Sequence, residues 1–464
     1  MNNQTLEDLI QAAGNPVALL RNSKTGPNVY PGVPPEYTNW RDEQEAWQKT
    51  CVLFTLSYHM ADLAVEGRDA VKLLSQLGIN TFKNFGVDKA KQFVPCSHDG
   101  YVIGDGILFQ LSENQFNLVG RIPALNWIRF YAETSGYDVK LELDERSAAR
   151  KDPLNRKSYR FQIQGPNAMK VMGKVLGKQP PEVRFFHMCT MTIANKQVRA
   201  LRHGMAGQPG FELFGPYADG EAVRETIVKA GEEFGLRQVG GRAYSSNTLE
   251  SGWIPSPVPA VYSGAKTKPY RQWLKSDSYE ARASIGGSFV SSRIEDYYFT
   301  PWDMGYGSFI DFNHDFIGRE ALQKMADQPH RKKVTLVLEN DDILRAIGSQ
   351  IEPGERAKFI EFPSAVYSMH PFDSVVAGGK IVGVSTWVGY SSNERKMLTL
   401  AVLDAEYAEP GTQVTFVWGE ENGGTEKPTV ERHKQMNIRA TVAPVPYVES
   451  VRAAYTDRGW RKQA

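Results

Sequence analysis

The chain has 464 residues, a length typical of two to four domains. Its 54 Lys and Arg residues nearly balance 53 Asp and Glu residues, and the formal net charge is +1. Because no basic block stands out, this balance argues against nucleic acid or an anionic membrane surface as a partner. No apolar run approaches the ~18 residues of a membrane helix.

The first third of the chain alternates short helices and strands. Apolar periodicity predicts helices over residues 4–14, 41–50 and 68–77 and a strand over 51–56. Between the first two helices lies a loop rich in Pro and Gly, residues 25–35, which is stiff and can hold Tyr30 in a defined place.

Further strands are predicted before residue 170. Residues 100–120 predict paired strands, and the alternation over 157–164 predicts a half-buried strand. That strand ends at Gly165-Pro166, where a helix can begin.

Residues 200–216 contain a loop followed by an apolar run with one carboxylate, Glu212. The run predicts a strand, in which a half-buried carboxylate must be paired or bound. A carboxylate can accept two parallel N–H bonds from a planar edge such as that of a pterin. Alternatively, Glu212 faces solvent or pairs with Arg202, and spacing alone favours this alternative. The loop, here called the glycine loop (residues 204–210), owes its conformational freedom to Gly204, Gly207 and Gly210.

The character of the chain changes near residue 330. Residues 328–334 predict a linker. Beyond it, short apolar runs alternate with turns at 334–338, 381–388, 398–404 and 412–418. This pattern predicts a small all-β C-terminal domain.

Two polar residues follow predicted strands. His59 could bind an anion or move a proton, although a structural histidine is at least as common. Arg121 has a guanidinium that suits a carboxylate, and Gly120 before it leaves room for a ligand; the alternative is a surface ion pair.

A third stretch, residues 240–255, contains Tyr244 and Trp253 between glycine turns. A tyrosine can donate a proton to a developing oxyanion, and a tryptophan can stack on a heterocycle. Core packing of both rings is the alternative.

Several classes of protein are disfavoured by what the sequence lacks. It has no Walker motif, Gly-x-Gly-x-x-Gly, Gly-x-Ser-x-Gly or His-Glu-x-x-His sequence. The three cysteines, none close to another, predict neither a disulfide framework nor a zinc cluster, and we expect no metal. With a polar, acidic N-terminal sequence unlike a signal peptide, these features predict a cytoplasmic protein.

Several segments, including residues 398–411, resemble the aminomethyltransferase family, which includes the T-protein of glycine cleavage. Residues 202–212 (RHGMAGQPGFE) are similar to its R-x-G-Y-T-G-E-x-G-F-E motif, and 161–168 (FQIQGPNA) to its L-Q-G-P-x-A motif. Residues 315–322 (DFIGREAL) and 383–391 (GVSTWVGYS) fit its later segments. The resemblance covers nearly the whole chain in the expected order.

Within that family, the chain resembles the bacterial tetrahydrofolate-dependent O-demethylases of lignin-derived aromatic acids. The shared stretches include residues 202–207, 246–257, 285–292, 294–298 and 418–424. Residues 362–373 favour the syringate branch over the vanillate and 3-O-methylgallate branch.

The resemblance implies an α+β fold of three domains. Two are mixed α/β domains, and the third is a C-terminal, jelly-roll-like all-β domain. The implied boundaries are 1–48 plus 155–260 for the folate-binding domain, 49–154 plus 261–330 for the second domain and 331–464 for the third.

Departures from the glycine-cleavage pattern refine the expected substrate. Gly104-Asp105 stands where that family has Asp-Asp, and Met205-Ala206-Gly-Gln208 stands where it has Tyr-Thr-Gly-Glu. We therefore expect no lipoyl carrier protein as a partner, and we interpret the altered loop as a sign of a different methyl donor. Leu56 replaces a Gln of the vanillate branch, which affects the contacts expected beside the ring.

The reaction implied by the resemblance transfers the methyl group of a methoxylated aromatic acid, syringate foremost, to N5 of tetrahydrofolate. Its products are 5-methyltetrahydrofolate and 3-O-methylgallate. Alternatives are a vanillate or 3-O-methylgallate O-demethylase, a folate-dependent amine demethylase or aminomethyltransferase, and a non-catalytic folate-binding regulator. The implied roles are proton donation to the ether oxygen by Tyr244, substrate binding by Arg121, His59 and Tyr30, and folate binding by Glu212, Trp253 and Gln164.

Overall fold

The computed structural model describes residues 4–255, 257–456 and 458–462. Helices are distributed along this part of the chain: α1 (Leu6–Ala13), α2 (Pro16–Arg21), α3 (Trp40–Lys49), α4 (Ala70–Leu77), α5 (Ile122–Thr134), α6 (Ala168–Leu176), α7 (Gly220–Gly231), α8 (Gly241–Ser251), α9 (Lys268–Trp273), α10 (Arg319–Met325), α11 (Asn340–Gly348) and α12 (Glu449–Ala454).

The strands lie between these helices, in this order: β1 (Cys51–Thr55), β2 (Ala61–Glu66), β3 (Lys89–Phe93), β4 (Gly106–Ser112), β5 (Gln115–Gly120), β6 (Lys140–Asp144), β7 (Ser158–Gln164), β8 (Met188–Ile193), β9 (Lys196–Arg202), β10 (Gly210–Pro216), β11 (Leu236–Val239), β12 (Ile285–Gly286), β13 (Lys332–Leu338), β14 (His370–Pro371), β15 (Asp373–Ala377), β16 (Lys380–Ser391), β17 (Lys396–Leu403), β18 (Gln413–Trp418) and β19 (Met436–Ala443).

Two mixed layers of sheet and helix form the first part of the described chain. The first sheet has the order β11-β1-β7-β10-β9-β8, and only its β1–β11 pair is parallel. Its outer face packs on α6 and α7 through apolar residues such as Phe211 and Ile227. The second sheet, β3-β4-β5-β2-β6, is antiparallel and packs on α4 and α5.

The third part of the fold is a closed barrel with the strand order β13-β17-β16-β15-β18-β19. Its interior is apolar and includes Leu336, Val375 and Phe416, each completely buried. Two mixed layers followed by an all-β barrel agree with the predicted α+β class. The predicted domain boundaries stay a prediction; β1, which lies beyond the 48/49 boundary, pairs with β7 and β11 in the first sheet.

Local sequence signals account for several of these elements. The Thr5 side chain and Asp8 form a capping box at the start of α1, and the helix predicted over 41–50 is α3. The predicted paired strands begin later than expected, at Gly106. The residues before it bond to loops instead, since Val102 N–H donates to Phe299 O at 2.8 Å and Ile103 N–H to Pro95 O at 3.0 Å.

None of the helices in the described part of the chain combines the length and apolar character needed to cross a membrane. Within the same part, no group of three or more His, Cys, Asp or Glu residues could hold a metal ion.

Candidate functional site

The inner face of the first sheet carries a row of buried polar side chains. Successive residues of a strand point to opposite faces, so Arg160, Gln162 and Gln164 of β7 share one face while their neighbours enter the apolar core. On β10, Glu212 lies directly opposite Gln162 and therefore on the same face. This face is turned away from α6 and α7 and toward the interior of the molecule.

Glu212 is buried, with 3 % of its surface exposed, and is paired with Arg160. Arg160 Nη1 donates to Glu212 Oε1 at 2.5 Å, and Arg160 Nη2 donates to Asp62 Oδ1 of the second sheet at 3.0 Å. The Arg160 guanidinium also lies against the rings of Phe109 and Phe214, 5.0 and 4.8 Å from their centroids. The predicted strand is confirmed, and both readings of the alternative, a solvent-facing Glu212 and a pair with Arg202, are wrong.

Burial raises the pKa of Glu212, and the Arg160 guanidinium opposes that rise. Only Oε1 receives a hydrogen bond from a described residue. Oε2 therefore keeps its capacity to accept from a ligand.

Two glutamine amides beside Glu212 have buried atoms that no described residue satisfies. These atoms are Gln164 Nε2, a donor, and Gln162 Oε1, an acceptor. Gln164 Oε1 accepts a hydrogen bond from Met205 N–H of the glycine loop at 2.7 Å, which fixes the orientation of the amide. Because a buried polar group without a partner is costly, this set is suited to a ligand that offers both donors and acceptors.

A second group joins three of the predicted residues from three separate segments. The Tyr244 hydroxyl, in the first turn of α8, lies 2.8 Å from Nε2 of His59, which follows β1. The Tyr30 ring packs against both, with its centroid 5.5 Å from that of His59 and 5.4 Å from that of Tyr244. Phe54 supports Tyr244 from the sheet at 5.5 Å. The stiff loop that carries Tyr30 thus places this ring as a wall of the site.

The electrostatic surroundings keep this group uncharged at neutral pH. Burial lowers the pKa of His59 to about 3, and the positive charges of Arg121, Arg156 and Arg160 act in the same direction. Burial raises the pKa of Tyr244 well above its usual value. A neutral imidazole therefore faces a protonated phenol.

Arg121 is a cation near this group, and no described residue forms a hydrogen bond or ion pair with its side chain. It is the N-cap residue of α5 and is half-buried. Within residues 4–255, 257–456 and 458–462, no group accepts a hydrogen bond or forms an ion pair with its guanidinium. Its positive charge acts on Tyr30, His59 and Tyr244, so it lies within electrostatic range of the aromatic group. A half-buried guanidinium without a partner is suited to an anionic ligand.

Asp105 is a site residue that sequence reasoning missed. It is 5 % exposed and lines a small cavity together with Arg121. Its Oδ2 accepts three hydrogen bonds, from Trp253 Nε1 at 2.9 Å, Tyr306 OH at 2.6 Å and Gln92 Nε2 at 2.7 Å. Burial raises the pKa of Asp105. The comparison of Gly104-Asp105 with Asp-Asp was the signal that could have identified it, since the second carboxylate is retained.

Trp253 is therefore fixed by Asp105. Gly252 ends α8 in the left-handed conformation, with φ of +69°, and turns the chain so that the indole N–H reaches Asp105 and, at 3.1 Å, the Tyr306 hydroxyl. The structure thus gives Trp253 a defined partner in the site.

A groove of about 360 Å³ borders the other side of Tyr30. Its walls are the Pro-rich loop, the start of α8, the segment before β14 with Phe362 and Met369, and Trp387 of β16. The volume lies within the range of ~300–1,000 Å³ that small-molecule sites occupy.

Comparisons with known proteins identify the family of this chain. A family model described as the GCVT N-terminal domain matches residues 22–256. The chain is 59 % identical over 458 residues to the syringate O-demethylase of Sphingobium sp. (strain NBRC 103272 / SYK-6), and the match covers 99 % of each chain. The chain belongs to the GCVT family. The predicted family membership is confirmed.

Two other comparisons show how the family varies. The sesamin methylene transferase of Sinomonas sp. (strain No.22) is 31 % identical over 442 residues, 90 % of each chain. Among solved structures, the glycine cleavage system aminomethyltransferase T from Bartonella henselae has a TM-score of 0.60 at 19 % identity and covers 96 % of this chain and 97 % of its own. This likeness confirms the predicted fold class.

Proposed function

We propose that this protein is a tetrahydrofolate-dependent O-demethylase. It transfers the methyl group of a methoxylated aromatic acid, syringate foremost, to N5 of tetrahydrofolate and yields 5-methyltetrahydrofolate and 3-O-methylgallate. The observation that carries this proposal is the Tyr244 hydroxyl, held 2.8 Å from His59 beside the unpartnered guanidinium of Arg121. Together they offer a proton donor for an ether oxygen and an anchor for a carboxylate, the two groups of such an acid. The full-length relative named for syringate demethylation supports the same substrate.

The aromatic acid lies between Arg121 and Tyr244 in this proposal. Arg121 binds the carboxylate through charge-assisted hydrogen bonds, and Tyr30 contacts a ring oxygen. His59, which the sequence assigned to the carboxylate, is hydrogen-bonded to Tyr244 instead of standing free, so we give it a second task.

That second task is to support proton donation. With its proton on Nε2, neutral His59 donates to the Tyr244 oxygen, and the Tyr244 O–H is then directed at the substrate. As the bond between the methyl carbon and the aryl oxygen breaks, its electron pair stays on the oxygen, and Tyr244 supplies the proton that neutralises it. His59 keeps its Nε2 proton and stabilises the resulting Tyr244 phenolate through this hydrogen bond. Overall, N5 loses one proton and the aryl oxygen gains one, so the Tyr244 phenol is restored at the end of the reaction.

The residues on the inner face of the first sheet suit a folate. A pterin edge offers adjacent donors and acceptors, and it would meet Glu212 Oε2, Gln164 Nε2 and Gln162 Oε1, none of which is engaged by another described residue. When bound, tetrahydrofolate supplies N5 as the methyl acceptor. Asp105, oriented by the Trp253 indole, is placed to take up a proton released in the site.

Incubation of the protein with tetrahydrofolate and either syringate or vanillate, under anaerobic conditions, tests the proposal. We expect 5-methyltetrahydrofolate and 3-O-methylgallate to form in equal amounts from syringate, faster than demethylation of vanillate. A faster reaction with vanillate would transfer the assignment to the other branch. If no methoxylated benzoate gave 5-methyltetrahydrofolate, the protein would not be a demethylase.

The partners and location follow from this activity. We propose small-molecule ligands, an aromatic acid and a folate, and a cytoplasmic location. All three cysteines lie in the described chain as free thiols, which suits a reducing compartment.

A further inference from the structure

The C-terminal segment (residues 448–456 and 458–462) contacts the glycine loop, about 250 positions earlier in the chain. Two of its side chains donate hydrogen bonds to carbonyls of that loop: Trp460 Nε1 to Gly207 O at 2.7 Å and Arg461 Nη2 to Gly204 O at 2.7 Å. The guanidinium of Arg202, just before the loop, lies 4.9 Å from the Trp460 ring centroid. The first half of the loop and the residue Arg202 before it are therefore held by the same segment.

The packing between the glycine loop and the C-terminal segment leaves no space for additional side-chain atoms. Ala206 is completely buried in an apolar cluster with Val448 and Val451 of the C-terminal segment. At Gly207, whose φ is +72°, a Cβ atom would lie 2.6 Å from the Cα of Val451. Only glycine allows the segment to approach the loop this closely.

The loop has a backbone conformation that needs external support. Ala206 has a φ of +47° and Gly207 follows with a positive φ, so two successive residues are left-handed. For a residue with a Cβ this conformation is unfavourable, and it persists only where surrounding contacts enforce it. Those contacts come from the C-terminal segment.

The loop in turn reaches the proposed folate site. Met205 N–H donates to Gln164 Oε1, so the loop determines which way the amide faces and leaves Gln164 Nε2 directed away as an unsatisfied donor. The Met205 side chain packs with the cluster that includes Phe54 and Tyr244. A displaced loop would release this amide.

We infer that the C-terminal segment positions the glycine loop for folate binding, with Trp460 and Arg461 as positioning residues that touch no ligand themselves. This inference rests on the proposed function, in which Gln164 binds the folate. It predicts that loosening the segment weakens the affinity for tetrahydrofolate and leaves the affinity for the aromatic acid unchanged.

The first test compares Trp460→Phe, Arg461→Ala and Arg461→Lys with Lys462→Ala, a control at an exposed position of the same segment. Trp460→Phe keeps an aromatic ring but removes the N–H donor and part of the indole surface that Arg202 contacts. We expect the Kd for tetrahydrofolate, measured by anaerobic calorimetry, to rise about three- to tenfold in Trp460→Phe and Arg461→Ala, the usual effect of one lost hydrogen bond. Arg461→Lys should recover part of the affinity, and Lys462→Ala should match the wild type.

Two further readouts separate positioning from general stability. Amide hydrogen exchange should become faster at Met205 in Trp460→Phe, and the KM for syringate should stay within about twofold of wild type. Equal increases in the Kd for tetrahydrofolate and the KM for syringate, or an unchanged Kd for tetrahydrofolate, would overturn the inference. Since calorimetry needs no turnover, the change in the Kd for tetrahydrofolate can be measured whether or not the wild type demethylates syringate.

A glycine pair provides the second test. Gly207→Ala places a methyl group against Val451, whereas Gly177→Ala has a similar φ, +64°, with nothing within 4 Å of the new atom. Both variants carry the backbone penalty, but only Gly207→Ala should weaken tetrahydrofolate binding. The same loss in both variants would contradict the inference.

Discussion

Substitution of Tyr244 by Phe removes one oxygen atom from the centre of the proposed site. The ring contacts remain, because the aromatic neighbours His59, Tyr30 and Phe54 lie at centroid distances of 4.9, 5.4 and 5.5 Å. What is lost is the 2.8 Å hydrogen bond to His59 Nε2 and, with it, the proton donor to the ether oxygen. The variant therefore separates proton donation from packing.

The expected magnitude follows from these two losses. A well-placed general acid contributes about 10²–10⁴-fold to the rate. At 1.36 kcal/mol for each factor of ten, this range corresponds to about 3–5 kcal/mol of transition-state stabilisation. Loss of the His59 hydrogen bond costs about 1 kcal/mol of folding stability. We therefore expect kcat to fall at least about 100-fold, while the KM values for syringate and tetrahydrofolate change little.

The assay is the initial rate of 5-methyltetrahydrofolate formation at saturating concentrations of both ligands, with a thermal melt of each variant. Tyr58→Phe is the matched control, because the Tyr58 hydroxyl bonds to that of Tyr217 at 2.9 Å and takes no part in the proposed site. A kcat of Tyr244→Phe within about threefold of that of Tyr58→Phe would refute proton donation by Tyr244, since general acids contribute far more than this.

Three further substitutions test the other proposed roles. Arg121→Ala should raise the KM for syringate about 10- to 100-fold through loss of a charge-assisted hydrogen bond and leave the Kd for tetrahydrofolate unchanged, as initial rates and calorimetry would show. Glu212→Gln should weaken tetrahydrofolate binding in calorimetry, and an unaltered Kd would exclude a role in pterin binding. Because the pKa of His59 falls from 6.5 to about 3 on folding, the unfolded chain binds more protons between these values, so stability decreases as pH falls through that range. Thermal melts between pH 4 and 7 should show a shallower decrease for His59→Gln, and kcat should show no His59 titration between pH 5 and 8.

Local elements could be predicted from the sequence because their signals are local. The strand over 157–164 alternates in hydropathy, and the structure has β7 at Ser158–Gln164. Strand β19 is not among the predicted strands, although residues Met436–Ala443 also alternate between exposed and buried positions. The local signal for this strand was therefore present in the sequence. Strand β15 is different, since only its pairing with β16 and β18 inside the barrel distinguishes it from a loop.

The site could be predicted as a set of residues but not as a geometry. The sequence identified Glu212 as a costly carboxylate, yet its partner Arg160 lies on another strand, 52 positions earlier, and depends on the register between β7 and β10. The setting of Asp105 needs three donors, Gln92 on the neighbouring strand β3 and Trp253 and Tyr306 from segments about 150 and 200 positions away. Such partners are decided by chain topology, which no local pattern reports.

The glycine loop shows how topology changes the meaning of a substitution. Met205-Ala206 in place of Tyr-Thr was interpreted from the sequence as a sign of a different methyl donor. In the structure, Ala206 is completely buried against Val448 and Val451, so the larger threonine side chain would have to displace α12. The departure at 206 thus has a packing reason, the approach of the C-terminal segment. Evidence for the substrate then comes from Gly104, where the first carboxylate is absent from the cavity wall, and from Arg121 on the same wall.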